Sequence, residues 1–383
     1  MRTKIIEKDS EILVDLTKIP SKQMTVFYNP IMELNRTISI LILKTLLKTF
    51  KTRELQIALP LAGSGVRAVR MIKELPFEQV KLIAVNDASK DAFELIKENI
   101  KLNQLEQFSD KIKIFNKDAN KFLEDSFGFD YIDIDPFGSP NFLLDASLRR
   151  ISRKGILAVT ATDTGALNGA FPSAGRMKYW AETTSSSQKH EVGIRILARR
   201  IILEGLSQQK VLEPILTYHH KHYYRIFFKV SKSKTKASDY LKQVTKFLFV
   251  CDKCGFSSTS ECILGCPNCN DKTHLRKIGP LFSGTLNDEK LVKKMLSLAS
   301  EEYPESVSVL NKLLIDSRSS NNLLFDTHRI CEKNKLRIPK LVDLIGLLRK
   351  KGFEAEQSIF LKTGIKTDAC FQTVLKCIKE FNK

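Results

Sequence analysis

The feature that most constrains this chain is an alternation, across residues 55–229, of short runs rich in β-formers with longer runs at helical spacing. Strands are predicted at 55–59, 81–86, 111–116, 129–134 and 156–161, with helical patterns at 66–75, 90–103, 120–126 and 141–151 between them. A further helix at 189–206 precedes strands at 212–218 and 223–230. Strand and helix in strict turn predict an α/β fold, a doubly wound sheet with helices on both faces. The last two strands are separated only by the link at 219–222, so they form an antiparallel hairpin on an otherwise parallel sheet.

At 383 residues the chain exceeds one ordinary domain. The expected division is 1–235 for the sheet domain, 236–285 for a cysteine-bearing module and 286–383 for a smaller α+β C-terminal domain of winged-helix-like pattern. The polar, basic stretch at 229–236 reads as a linker or phosphate-contacting loop. The N-terminus is charged and lacks an apolar signal region, and the longest greasy stretch, 38–47, is interrupted by Lys44 and too short to span a bilayer. A soluble, cytoplasmic protein is therefore expected, without membrane attachment and with no protein partner evident. Sixty-two Lys and Arg against 43 Asp and Glu leave a net charge of +19. A surplus of that size points first to nucleic acid, because phosphate neutralisation drives such binding; the plainer reading is solubility alone.

Chemistry is concentrated after the strands. Gly63-Ser64-Gly65-Val66-Arg67 follows the first strand and opens a helix, where glycines permit a tight turn and close ligand approach. Gly63-x-Gly65-x-x-Ala68 also satisfies the dinucleotide fingerprint. Asp87, 24 residues after Gly63, ends the second strand and suits the hydroxyls of a ribose, which NAD and S-adenosylmethionine share. Asp118, after the third strand, fits the adenine amino group of S-adenosylmethionine, or equally a helix N-cap. A terminal hairpin is how class I methyltransferase sheets finish, and dinucleotide dehydrogenases usually do not.

The fourth strand runs into Asp135-Pro136-Phe137-Gly138. Such a tetrapeptide is an ordinary turn on composition alone. At the carboxyl end of a central strand, however, Asp135 faces the ligand crevice. The exocyclic amine of a base is a poor nucleophile because its lone pair is delocalised into the ring. A carboxylate and the Pro136 carbonyl, both accepting N–H bonds, would localise that pair, while Phe137 stacks on the base. The long segment 162–188, rich in small residues, leaves the fifth strand on the same side and reads as a substrate-gating loop; its Lys178, Tyr179 and Trp180 offer charge and stacking, though Trp180 suits a core anchor equally.

Cys251-x-x-Cys254 and Cys266-x-x-Cys269, eleven residues apart, form a four-thiolate zinc pattern with no open coordination position, hence a structural one. Gly255 and Gly265 flank the pairs and suit tight knuckle turns, and Cys262 lacks the paired spacing. Cys331, Cys370 and Cys377 read as buried or free thiols, and His219, His220 and His222 as a turn rather than a second metal site. Lys232, Lys234, Lys236, Arg349, Lys350 and Lys351 are candidates for RNA phosphates, or merely a solvated face.

Taken in order, the motifs resemble the tRNA guanine-26 N2-dimethyltransferase family. They are Val26-Phe27-Tyr28-Asn29-Pro30, Leu34-Asn35-Arg36, Gly65-Val66-Arg67, Asp135-Pro136-Phe137-Gly138-Ser139-Pro140 and Thr160-Ala161-Thr162-Asp163. His190-Glu191-Val192-Gly193-x-Arg195, Tyr223-x-Arg225 and Gly279-Pro280-Leu281-Phe282 follow. The resemblance implies that Arg36, Arg67, Asp87, Asp118 and Ala119 contact S-adenosylmethionine and that Asp135 is the catalytic carboxylate. Phe27 and Phe137 would then flank a flipped guanine, and tRNA would be the partner. The chain departs from the family at Gly63-Ser64, where Ala-Thr is usual, and at Phe282, which often is Trp; neither change removes a catalytic group. Two other functions fit parts of the pattern. An NAD-dependent oxidoreductase is allowed by the glycine loop but lacks a hydride-site His or Lys after the fourth strand, and a non-catalytic zinc-ribbon RNA binder would be indifferent to loss of Asp135.

Overall fold

In a computed structural model, which describes residues 2–15, 26, 28–49, 54–318 and 323–382, the alternation appears as expected. An antiparallel hairpin comes first, β1 (Arg2–Glu7) and β2 (Ser10–Asp15), then helix α1 (Glu33–Thr49). There follow β3 (Leu55–Leu59), α2 (Val66–Glu74), β4 (Val80–Asn86), α3 (Lys90–Leu102) and β5 (Ile112–Phe115). Next come α4 (Ala119–Glu124), β6 (Phe129–Ile134), α5 (Asn141–Arg150) and β7 (Ile151–Ala161). β7 starts earlier than its apolar run, because a register irregularity between β6 and β7 absorbs the polar start of the strand, where Lys154 has φ +67°.

Beyond β7 the chain forms α6 (Thr164–Leu167), α7 (Pro172–Tyr179), α8 (Lys189–Ser207), β8 (Val211–His220) and β9 (Tyr223–Ser231). The segment expected as a substrate-gating loop at 162–188 thus carries two short helices, and two of its glycines serve close packing. A Cβ on Gly175 would lie 2.8 Å from the Ala166 carbonyl oxygen, and one on Gly169 2.3 Å from the backbone of Thr184. Trp180 is exposed, whereas Tyr179 is buried and donates to Asp163 Oδ1 (2.7 Å), so the tyrosine is the anchor. The linker expected at 229–236 shrinks to Lys232 and Ser233. β9 runs to Ser231, and Ser233 caps α9 (Lys234–Gln243) by accepting from the Lys236 N–H.

The remaining elements are β10 (Lys246–Cys251), β11 (Ser257–Ser260), β12 (Leu275–Leu281), α10 (Glu289–Glu302), α11 (Pro304–Ser317) and β13 (Phe325–Asp326). α12 (Thr327–Asn334), α13 (Leu341–Lys350), β14 (Ala355–Gln357), β15 (Gly364–Thr367) and α14 (Phe371–Glu380) complete the chain.

The largest sheet runs β5-β4-β3-β6-β7-β9-β8. Its first five strands are parallel, with Ile57 of β3 opposite both Ile83 and Tyr131. β8 and β9 are joined by Lys221 and His222 alone, a link that permits only an antiparallel pair. Strand order reverses between β3 and β6, which places the crevice of a doubly wound sheet beyond the carboxyl ends of those two strands.

By internal contacts the chain divides into two compact units. One comprises Met1–Thr162, Arg225–Lys232 and Lys293–Leu310; the other comprises Asp163–Tyr224, Ser233–Val292 and Asn311–Lys383. In the first, every residue of β6 is buried between β3 and β7, and Ile57 on β3 and Ile83 and Val85 on β4 are fully buried as well. In the second, Cys251, Cys254 and Cys266 share an apolar core with Phe325, Ile330, Leu344, Ile365 and Phe371, beneath three-stranded sheets ordered β11-β10-β12 and β13-β15-β14. Among the described residues no helix is long and apolar enough to cross a membrane.

Candidate active site

The loops after β3, β4 and β5 are tied together by one side chain. Asn86, fully buried, donates from Nδ2 to the carbonyls of Pro60 and Lys117 (both 3.0 Å) and accepts from the Lys117 N–H at 3.1 Å. The glycine turn closes above it, with Gly63 at φ +56° and Gly65 at φ +77°, the left-handed region that a side chain disfavours. Asp87 is half-buried and accepts from the Gly63 N–H (2.8 Å) and the Ser89 N–H (3.0 Å); burial pushes its carboxyl up, against those bonds. Asp118 is exposed and caps α4 from Oδ1, accepting from the N–H groups of Asn120 and Lys121. Ala119, the first residue of that helix, is buried.

Alternation along β6 sends Tyr131 and Asp133 to one face, with Asp135 following in the same phase beyond the strand end. The bonds on that face form a closed buried network. Arg225, fully buried on β9, donates from Nη1 and Nη2 to the two oxygens of Asp133 at 2.9 and 2.7 Å. Tyr131 Oη also donates to Asp133, at 2.6 Å. Arg67 Nη1 lies 3.2 Å from Asp133 Oδ2, while its Nη2 donates to Asp135 Oδ2 at 2.5 Å and to Asn35 Oδ1 at 2.9 Å. Burial alone would raise the Asp133 carboxyl, but the Arg225 and Arg67 guanidiniums beside it hold it below the usual carboxylate range. Two guanidiniums thus face two carboxylates, and the desolvation each would suffer alone is offset by its partners.

The tetrapeptide is pinned from the other side. Gly138 donates to Thr162 Oγ1 (2.6 Å), and the Thr162 N–H returns a bond to the Gly138 carbonyl (3.0 Å). Gly138 has φ +81° with open space where a Cβ would stand, so glycine is needed there for backbone conformation rather than for room. This turn holds Asp135 half-buried, Pro136 buried and the Phe137 ring exposed.

Two adjoining cavities meet at Asp135. One is lined by Tyr28, Asn29, Arg36, Ala62, Ser64, Arg67 and Asp135, among others. The second is lined by Val26, Asp87, Ser89, Ala92, Pro136, Phe137 and Phe142 and shares Leu61, Gly63 and Asp135 with the first. The site expectations Arg36, Arg67, Asp87, Asp135 and Phe137 therefore line one continuous crevice. Asp118 and Ala119 are on the neighbouring loop and line neither cavity, and Phe27 lies outside the described residues. Asn86, Asp133 and the exposed Phe142 belong to this neighbourhood without standing out in the sequence, and Arg225 stands out there only within Tyr223-x-Arg225. A visible signal for Asp133 is a carboxylate two residues before Asp135, in phase with it along a β-strand.

In the second unit the sulfurs of Cys251, Cys254, Cys266 and Cys269 lie within 4.8 Å of one another, the only such metal-type cluster among the described residues. Sγ separations of 3.7 Å (Cys251–Cys269) and 3.5 Å (Cys254–Cys266) are far too long for disulfides. They suit a tetrahedral zinc, whose bonds of about 2.3 Å set its sulfurs about 3.8 Å apart. The first knuckle turns at Gly255 (φ +79°); in the second the left-handed residue is Asn270 (φ +57°), not Gly265. Asn270 takes that part because its N–H closes back on the Cys266 carbonyl at 2.8 Å, and asparagine tolerates the conformation.

A doubly wound sheet closed by an antiparallel hairpin, with a ligand crevice built on the glycine turn and the Asp-Pro-Phe-Gly turn, defines a class I methyltransferase. Known proteins narrow that class. The sequence pattern of the family described as N2,N2-dimethylguanosine tRNA methyltransferase matches residues 3–379, and the chain belongs to that family. A tRNA (guanine(26)-N(2))-dimethyltransferase of Methanobrevibacter smithii is 37% identical, over 94% of this chain and 92% of its own. A tRNA (guanine(26)-N(2)/guanine(27)-N(2))-dimethyltransferase of Aquifex aeolicus is 32% identical, over 96% of this chain and 93% of its own. Among solved structures, Trm1 from Pyrococcus horikoshii in complex with S-adenosyl-L-methionine superposes with a TM-score of 0.82 at 32% identity, covering 98% of this chain and 99% of that one.

Proposed function

We infer that this chain transfers one or two methyl groups from S-adenosylmethionine to the exocyclic N2 of guanine 26 in tRNA. The observation that carries the assignment of roles is the placement of Asp135. Its carboxylate is anchored through Oδ2 by Arg67, stands on the wall common to both cavities, and has the exposed Phe137 ring two residues away.

The crevice fits the cofactor by the chemistry of its donors. Cationic Arg36 and Arg67 line one cavity, suiting an amino-acid carboxylate, and the Asp87 carboxylate lines the other, where each oxygen keeps a lone pair for a ribose hydroxyl. Between them the left-handed glycine turn lets a ligand approach the backbone. Asp118 and Ala119 take the adenine edge. When bound, S-adenosylmethionine supplies a methyl group activated by its sulfonium sulfur.

The chain's own groups do the rest. A guanine amine is reachable only once the base has left its stack, so Phe137, with Phe27 as its counterpart, holds the flipped base by ring stacking. Asp135 Oδ1 and the Pro136 carbonyl accept the two N–H bonds, drawing the nitrogen lone pair out of the ring and toward the methyl carbon. As the new N–C bond forms and the C–S bond breaks, the amine proton passes to Asp135. One N–H then remains, which is what a second transfer requires. Zinc on the four cysteines is structural, and 236–285 and 286–383 act as tRNA-gripping modules, the latter winged-helix-like. The compartment is the cytoplasm, where the substrate is found.

The test uses labelled S-adenosylmethionine with tRNA transcripts carrying guanine or adenine at position 26, followed by nucleoside analysis to count methyl groups. Incorporation should vanish with adenine 26, and label unchanged on that transcript would reject the site assignment. Asp135→Asn, which keeps an acceptor for Arg67, should lower single-turnover transfer by about 100-fold or more while S-adenosylhomocysteine is still bound, with melting lowered by the loss of the ionic partner of Arg67.

A further inference from the structure

Among the described residues lining the first cavity, Arg36 is the only cation besides Arg67, and its geometry is set by the N-terminal hairpin. Glu7, the last residue of β1, is 2% exposed, and its two oxygens accept from Arg36 Nε at 2.7 Å and Nη2 at 2.5 Å. The same carboxylate accepts from Arg70 Nη1 (2.9 Å) and Tyr28 Oη (3.1 Å). The Tyr28 ring packs against the Arg36 guanidinium, 5.3 Å from centroid to Cζ, and the Asn29 carbonyl closes a third side. Arg70 is neutralised in turn by Glu74, at 2.6 Å. Burial would raise the Glu7 carboxyl, yet Arg36 and Arg70 hold it below the usual range, so it stays an anion beneath Arg36.

The hairpin is held in place in an unusual way. Asn99 on α3 and Asn103, which caps its carboxyl end, stand in for a neighbouring strand of β2. Asn99 accepts from the Leu13 N–H (2.7 Å) and donates to the Leu13 carbonyl (3.1 Å). Asn103 does the same for Glu11, at 3.1 and 2.6 Å. Asn99 also donates to the Ser64 carbonyl in the glycine turn, at 2.8 Å. The hairpin is therefore tied to the cofactor crevice twice, directly through the Glu7–Arg36 ion pair and indirectly through Asn99.

We propose that Glu7 is a positioning residue for the methyl donor, holding Arg36 in the orientation that receives the carboxylate of its amino-acid end. Resting on the cofactor reading above, the proposal adds that the N-terminal hairpin belongs to the cofactor site. A bidentate partner fixes a guanidinium in plane, so less freedom is lost when a ligand carboxylate arrives.

The test compares S-adenosylhomocysteine, which keeps the amino-acid end, with 5′-methylthioadenosine, which lacks it, by titration calorimetry on the full chain. Glu7→Gln, similar in shape but uncharged, should weaken S-adenosylhomocysteine by about tenfold and leave 5′-methylthioadenosine within about twofold of wild type. Equal weakening of both ligands, or of neither, overturns the proposal, since a purely structural role would not distinguish them. Should Glu7→Gln fail to fold, Tyr28→Phe removes a single bond to the same carboxylate and is read the same way. It should weaken S-adenosylhomocysteine alone by about threefold, and equal or absent effects on the two ligands overturn the proposal. Wild type binding neither ligand would instead reject the cofactor reading itself.

Discussion

At the scale of single residues, the site is built from charged groups that neutralise one another out of water. Asp133 touches two guanidiniums and a phenol, and nothing in that set is exposed enough to exchange its partners for solvent. Removing one member strands the rest, which for a buried pair costs about 3–5 kcal/mol. Asp133→Asn is therefore expected to lower unfolding free energy by about that amount, read as a shift in urea midpoint at unchanged slope. The sign of the pH dependence follows from the same contacts. Folded Asp133 and Glu7 carboxyls are held below their ordinary values of 3.8 and 4.5, so their contribution is present above those values and lost as pH falls through the folded ones. Stability should drop steeply below about pH 4.5, and Asp133→Asn should make the drop shallower. A slope identical to wild type would show that Asp133 takes no part.

At the scale of elements, the sequence was read best where burial is two-sided. β3 and β6 begin and end where their apolar runs do, since a buried parallel strand has no other signal to mix with. The start of β7 was hidden by Ser152, Arg153 and Lys154, which are tolerated at a register irregularity. The N-terminal hairpin was not anticipated. Its strands are short and charged, and two asparagine side chains, one on α3 and one capping it, supply one strand's missing pairing. The cysteine knuckles were legible because ligand spacing is a covalent property, and the turn at Asn270 was not, because the chain reaches it only after closing on Cys266. These knuckles share an apolar core with the β13-β15-β14 sheet. Stripping zinc with a chelator is thus expected to expose four thiols to alkylation and to lower the melting transition of that whole unit. Four protected thiols after metal removal, with melting unchanged, would speak against a zinc site.

For the whole molecule, the net charge of +19 governs how it meets a polyanion. Affinity for tRNA should fall linearly on logarithmic axes as salt rises, through counterion release. Lys236, Arg349 and Lys351 are engaged with Glu213, Glu356 and Glu380, while Lys232, Lys234 and Lys350 are exposed. Replacing those three exposed lysines with alanine should reduce the salt slope by about one for each phosphate that is no longer neutralised. Filter binding at several salt concentrations measures this, and an unchanged slope would exclude them from the interface.

By itself the sequence determined the order of strands and helices from β3 to β7, the four zinc-type cysteines and the turn that presents Asp135, because these depend on period, spacing and composition along the chain. Which charges meet was decided only by tertiary structure. Glu7 and Arg36 are 29 positions apart, and Asp133 and Arg225 are 92 apart. No local pattern records such a pairing, since a buried carboxylate and a surface one are spelled alike, and only folding removes the water that makes one of them depend on its partner.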